Sequence, residues 1–169
     1  MPRLSPARLA SVAAVAAAAA LTIALAACGG SAATPAPSAG PTGIIRENLG
    51  SSLPGNATGE RLTLWHYIIP AGSKLAPHYH PGWQIARIAA GTLTYTVLTG
   101  KVDVQRANGA QESYPAGQTI QLNTGDSVLE NPDEHHKAEN AGTVAVELLA
   151  TSLLTDGADV AIPDPSPAN

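Results

Sequence analysis

The sequence is poor in aromatic residues and in cysteine. It contains no Phe, two Trp, four Tyr and one Cys in 169 residues, although 44% of its residues are hydrophobic. A core built from this chain must therefore consist mainly of Val, Ile, Leu and Ala. The single cysteine excludes an internal disulfide.

Basic residues are also scarce. Nine Lys and Arg face thirteen Asp and Glu, for a net charge of −4, and no basic stripe is present. Nucleic acid is therefore not expected as a partner. The chain contains no glycine-rich phosphate loop and no dinucleotide fingerprint. Its length suits one domain with tails rather than two full domains.

The amino-terminal residues 1–27 have the layout of a secretory signal peptide. Arg3 and Arg8 make the start positive, and residues 9–27 carry no charge. The sequence Leu-Ala-Ala before Cys28, followed by Gly-Gly-Ser, resembles a bacterial lipobox. That resemblance implies cleavage before Cys28, a diacylglycerol lipid on its sulfur, and a location on the outer face of the bacterial cell membrane. The alternative is a retained transmembrane helix, because a stretch of this length nearly spans a bilayer.

The remainder divides into three regions by composition. Residues 28–42 are rich in Ala, Pro, Ser and Gly, which predicts a flexible tether. Residues 43–154 form the expected folded domain. Residues 155–169 combine prolines with aspartates, which predicts a disordered tail.

The folded region shows strand signals about every 8–12 residues, as an all-β barrel or sandwich requires. No segment after Cys28 has a sustained helical period. Asn108 and Gly109 predict a tight hairpin. Strands are expected at residues 43–46, 61–69, 84–88, 92–98, 101–106, 113–122 (one or two), 127–130, 137–140 and 143–153.

The candidate chemistry lies between residues 72 and 91. His78 and His80 are two residues apart, so both imidazoles point to the same face of an extended strand. Gln84 follows on the same parity after a Pro-Gly turn. A third imidazole is available from His135 or His136, far along the chain.

These residues resemble the two motifs of the cupin family. In the first motif, Gly72, His78, His80, Gln84 and Gly91 occupy the family's positions, with the glutamine in place of the usual glutamate. The resemblance covers roughly residues 43–154.

The second motif is matched less completely. Gly125, His136 and Asn140 are in register, whereas Asn131 and Asp133 replace a proline and a glycine. The resemblance implies a cupin-type double-stranded β-helix, that is, a jelly-roll barrel.

The same resemblance implies a divalent metal ion held by His78, His80 and His136, which would be Fe, Mn, Zn, Ni or Cu. The alternative is a barrel that has lost its metal and keeps the histidines as pocket lining. Gln84 is expected as a fourth, labile ligand that leaves the full positive charge on the ion. The alternative for Gln84 is decay of the site.

Glu130 is the candidate general base. It shares parity with Val128, so it is expected to face the cavity near His136, where burial would raise its pKa. The alternative is a solvated carboxylate at a strand end. His135 is expected on the opposite face, at the barrel mouth or on the surface.

Two functions remain open from the sequence. One is an enzyme of dioxygenase, isomerase or lyase type that acts on a small oxygenated substrate. The other is a non-catalytic module that binds a small ligand or a metal. A homodimer is implied by the resemblance alone.

Overall fold

The computed structural model of the chain describes residues 43–132 and 134–164. The expected signal peptide (1–27), the lipidation site Cys28 and the tether (28–42) lie outside the described residues, as does Asp133. Within the described part, no helix has the length and apolar character needed to cross a membrane. The strands are β1 (Ile45–Ser52), β2 (Glu60–Ile69), β3 (Lys74–Tyr79), β4 (Gly82–Ala90), β5 (Thr92–Val97), β6 (Lys101–Gln105), β7 (Gln111–Pro115), β8 (Thr119–Asn123), β9 (Ser127–Glu130), β10 (His136–Glu139), β11 (Val146–Thr155) and β12 (Ile162–Pro163).

The strands form two antiparallel sheets. The seven-stranded sheet has the order β1-β2-β11-β4-β9-β6-β7, and the five-stranded sheet has the order β12-β3-β10-β5-β8. Sequence neighbours are often separated in the sheets, which is typical of a jelly roll. The all-β prediction is therefore confirmed, and the second motif (β9 and β10) lies beside the first (β3 and β4) in both sheets.

Alternation of side chains places the core between the sheets. In β4, Gln84, Ala86 and Ile88 are buried, whereas Trp83 and Ile85 are exposed on the other face. This period of two is the expected pattern for strands with one face in a core. Apart from Tyr95, the fully buried hydrophobic side chains are Val, Ile, Leu and Ala, as the composition predicts.

Two glycines make the turns that bracket β4. Gly82 has φ 153°, and a Cβ there would lie 2.2 Å from the carbonyl oxygen of Leu153 on β11. Gly91 has φ 83°, the left-handed region that glycine adopts most easily. Because glycine permits this close approach, β4 can begin two residues after His80.

The carboxyl-terminal segment is paired with the barrel as far as Asp164, whereas the sequence predicts a disordered tail there. β11 continues to Thr155, and β12 pairs with β3, placing Ile162 opposite Tyr79. The Asp164 carboxylate lies 2.8 Å from His135 Nδ1. Composition suggested disorder because prolines and aspartates are frequent there, but the pairing with β3 and this polar contact hold the segment against the barrel. Residues 165–169 lie outside the described part.

The first strand is longer than expected. β1 runs from Ile45 to Ser52, well beyond the predicted 43–46. All of its residues are exposed, so it has no buried face to produce an alternating pattern. Its formation depends on the ladder with β2, in which the register shifts between Asn48 and Gly50.

Candidate metal centre

Three histidines from distant parts of the chain meet inside the barrel. His136 of β10 is the cross-strand partner of His78 of β3, and His80 follows β3 by one residue. One ring nitrogen from each of these histidines can be chosen so that all three lie within 4.8 Å of one another. His80 and His136 are buried, and His78 is half-buried. These are the three histidines that the sequence predicts as ligands, and the fold brings them together.

Backbone carbonyls fix the orientation of two rings. His78 Nδ1 lies 2.7 Å from the carbonyl oxygen of Ala76, and His80 Nδ1 contacts the carbonyl oxygen of Val160. A carbonyl can only accept a hydrogen bond, so in both rings Nδ1 carries the proton. Each Nε2 is therefore left for a ligand or a second proton. Such contacts commonly orient metal-binding histidines.

His136 is held by packing instead. Its ring stacks on Tyr95, with centroids 4.9 Å apart and planes at 20°. Its Nδ1 is buried without a hydrogen-bond partner among the described residues. Burial lowers the pKa of His136 to about 3 and also lowers the pKa of His78. Both rings are therefore neutral at physiological pH, which is the form that binds a cation.

Glu130 lies among these rings. Its Oε2 is 3.3 Å from His80 Nε2, and its Oε1 is 3.4 Å from His136 Nε2. The residue is 4% exposed, which excludes the alternative of a solvated carboxylate. Glu130 therefore faces the cavity near His136, at the nitrogens that would bind a metal.

The pKa of Glu130 is lowered, so the predicted rise is wrong. Burial does raise it, but the adjacent imidazoles of His136 and His80 and the Gln84 amide outweigh burial and hold the pKa well below its usual range. A carboxylate with so low a pKa is a weak base. It is better suited to act as a permanent anion beside a cation than as a general base.

Gln84 supports Glu130. The two residues are cross-strand partners on β4 and β9, and Gln84 Nε2 donates a 2.7 Å hydrogen bond to Glu130 Oε2. The same Nε2 is 3.0 Å from His80 Nε2, while Gln84 Oε1 is buried and has no hydrogen-bond partner in the part of the chain that the structure describes. This amide orientation follows from the need of the carboxylate for a donor. For Gln84 to bind a metal, its amide would have to rotate so that Oε1 faces the ion. The role of Gln84 as a metal ligand stays a prediction.

Glu134 is a site residue that sequence reasoning missed. It is 1% exposed and accepts a 2.9 Å hydrogen bond from the Tyr95 hydroxyl, and its Oε1 is 3.9 Å from His136 Nδ1. Burial, with the negative charge of Glu130, raises the pKa of Glu134 to about 8. It is therefore mostly protonated at neutral pH and adds little charge. In the sequence, the only feature that could have marked Glu134 as a site residue was its position next to the second motif.

His135 lies outside this cluster. Its ring stacks on Tyr79 with centroids 4.8 Å apart, and its Nδ1 contacts Asp164. It therefore faces away from His136, as the alternation of side chains predicts, and it helps to hold the carboxyl-terminal segment. His66, on the opposite face of β2 from Trp65, contacts Glu147 at 3.4 Å.

The donor set fits a divalent cation. Neutral imidazoles and a carboxylate are common ligands of first-row divalent metals. Among the described residues, the ion-pair partners of Glu130 are His80 and His136, with no Lys or Arg. A buried carboxylate in such a setting is stabilised by a cation, because an isolated buried charge is costly.

A cavity of about 290 Å³ opens onto the cluster. His78, His80, His136 and Glu130 line one part of it, and apolar side chains from both sheets line most of the rest. Small-molecule sites usually have this character, with apolar walls and a few polar groups.

Both histidine motifs lie in a region that matches a known protein family. The family model described as "Cupin domain" matches residues 65–152, more than half of the chain. The chain belongs to the cupin family. The match spans both histidine motifs of this cupin. No match was found among proteins of curated function.

Several solved structures are similar to this cupin. A cupin 2 domain-containing protein from Halorhodospira halophila has 14% identity and a TM-score of 0.49, with 73% of this chain and 72% of that chain covered. A cupin 2 conserved barrel domain protein from Leptotrichia buccalis has 20% identity and a TM-score of 0.45. The match covers 66% of this chain and 41% of that one. A salicylate 1,2-dioxygenase from Pseudaminobacter salicylatoxidans has 14% identity and a TM-score of 0.40, and the match covers 54% of this chain and 20% of that one.

Proposed function

We propose that this cupin binds one divalent metal ion through His78, His80 and His136, with Glu130 as an anionic ligand. The observation that carries the proposal is the convergence of three imidazoles around a buried carboxylate that has no Lys or Arg partner among the described residues. In this arrangement Glu130, on β9, supplies the negative charge that the usual glutamate of the first motif would supply from position 84.

The protein would use this centre to act on a small oxygenated substrate in a reaction of dioxygenase, isomerase or lyase type. A bound divalent ion supplies Lewis acidity toward an oxygen atom of the substrate. The chain's own residues supply the rest: apolar walls exclude water, Glu130 holds negative charge, and Gln84 fixes its carboxylate. The cavity supports this proposal, because the three histidines line it and a small molecule bound there would lie next to them.

The second candidate is a non-catalytic module that holds a small ligand or a metal. The low pKa of Glu130 favours it, because it makes this carboxylate a weak base. The two candidates share the metal centre and differ in whether the ligand is turned over.

We also propose that Cys28 carries a lipid and that residues 28–42 tether the barrel to the outer face of the cell membrane. The lipobox-like sequence supports this proposal. The homodimer stays a prediction.

The metal proposal is tested by elemental analysis of the purified full chain after incubation with Zn, Mn, Fe, Ni or Cu and removal of free metal. We expect about one ion per wild-type chain and a large loss in His78→Ala, because that ring supplies one of three imidazole ligands. His66→Ala is the matched control, since His66 lies outside the cluster. Equal metal content in all three proteins would contradict the proposal.

A further inference from the structure

Arg46 lies on β1, at the edge of the cavity. It is the cross-strand partner of Tyr67, and it is among the residues that line the cavity together with the three histidines. Its guanidinium carbon is 5.1 Å from the centre of the Trp65 ring. This contact orients a long side chain that would otherwise be free in solvent.

Tyr67 joins Arg46 to the interior. Arg46 of β1 is paired with Tyr67 of β2, and both residues line the cavity. Burial raises the pKa of Tyr67 to about 12, and the negative charge of Glu130 adds to the rise. The phenol therefore keeps its proton and remains a donor. Arg46 and Tyr67 are two groups that donate hydrogen bonds, and Arg46 adds one positive charge.

The charge of Arg46 is not balanced by a carboxylate within the described residues. The ion pairs found there involve Arg61 and Arg106 among the arginines, but not Arg46. The cavity that Arg46 and the histidines line is otherwise mostly apolar, with walls that include Ile88, Leu93, Leu122, Val128 and Leu148. A fixed cation beside an apolar cavity suits a ligand that has an anionic group on an apolar body.

We propose that the substrate or ligand of this cupin is a small, largely apolar carboxylic acid whose carboxylate binds Arg46 and Tyr67. Its apolar body packs against the barrel walls, and its other end faces the three histidines. The inference rests on the proposed function for the reacting end, but the carboxylate site is independent of the metal. A carboxylate is the favoured anion because a guanidinium pairs with it through two parallel hydrogen bonds.

The opposite orientation is disfavoured in the metal-free protein. A carboxylate placed at the histidines would approach the buried negative charge of Glu130, and like charges repel strongly in a site of low polarity. When a metal is bound, it could attract a carboxylate instead. The test therefore uses both metal-free and metal-loaded protein.

The test is calorimetric titration of the full chain with benzoate, phenylacetate and 3-phenylpropanoate, each beside its neutral amide. We expect at least one acid to bind more tightly than its amide by about tenfold or more, because a charge-assisted hydrogen bond is lost in the amide. In Arg46→Met this preference disappears, and in Arg46→Lys it is reduced because the planar fork is lost. Arg87→Met is the control, since it removes the same charge from the outer face of β4.

The outcomes separate this inference from the metal proposal. If no acid binds more tightly than its amide, or if Arg46→Met keeps the preference, the carboxylate site is wrong. If the preference appears only with metal and is lost in His78→Ala but kept in Arg46→Met, the acid binds the metal and the inference is overturned. Metal content is measured for every variant. If the wild type binds no metal, the proposed metal centre is rejected. The titrations of metal-free protein still decide whether Arg46 binds the carboxylate.

Discussion

Glu130→Gln is expected to lower the affinity of the protein for a divalent metal ion on the order of 100-fold. The variant keeps the size and polarity of the side chain but removes a carboxylate that contacts the metal-facing nitrogens of both His80 and His136. Competition with a chromophoric chelator at neutral pH measures the change. Glu147→Gln is the control, because Glu147 is a half-exposed acid that contacts His66 outside the cluster.

An unchanged affinity in Glu130→Gln would show that the carboxylate does not assist the metal. A second readout concerns the metal-free protein. Burial lowers the pKa of His80, but contact with the Glu130 carboxylate outweighs this and raises it above the ordinary 6.5. The pair therefore stabilises the metal-free fold fully below about pH 6.5, and the contribution is lost as pH rises through the raised pKa. In the variant, this decline in stability should be absent.

Gln84→Glu is expected to destabilise the metal-free protein by about 2–4 kcal/mol. The substitution removes the N–H group that donates to Glu130 Oε2 at 2.7 Å and places a second carboxylate against the first. The two groups are cross-strand partners on buried positions, so neither can move into solvent. Chemical denaturation in the presence of a chelator measures the loss.

Metal should restore much of the stability of Gln84→Glu, because a divalent ion offsets two adjacent negative charges. The difference between metal-loaded and metal-free stability is therefore larger in this variant than in the wild type. Gln118→Glu, at an exposed turn position, is the control for the added charge. Equal stability of wild type and Gln84→Glu without metal would mean that the Gln84–Glu130 hydrogen bond is not formed.

Much of the barrel could be predicted from sequence because its strands have one buried face. The predicted strand at 127–130 matches β9, and β2, β4, β5 and β6 lie close to their expected positions. β1 and β12 could not be predicted in the same way. They lack a buried face of their own, and they are held by pairing with strands that local sequence does not identify.

The histidines could be identified partly from a local rule and partly from the resemblance to the cupin motifs. Alternation in a strand puts His78 and His80 on one face, and the second motif supplies His136. The partnership of Gln84 and Glu130 could not be foreseen, since it depends on the register between β4 and β9. The direction of the Glu130 pKa shift depends on the same neighbours, which is why an argument from burial alone gave the wrong sign.

The most direct test of the account is anomalous diffraction from crystals of the metal-loaded protein at the absorption edge of the bound metal. The account predicts one strong peak about 2.0–2.2 Å from a ring nitrogen of each of His78, His80 and His136, with a Glu130 oxygen at a similar distance. Crystals with saturating metal and no peak among these residues would contradict it.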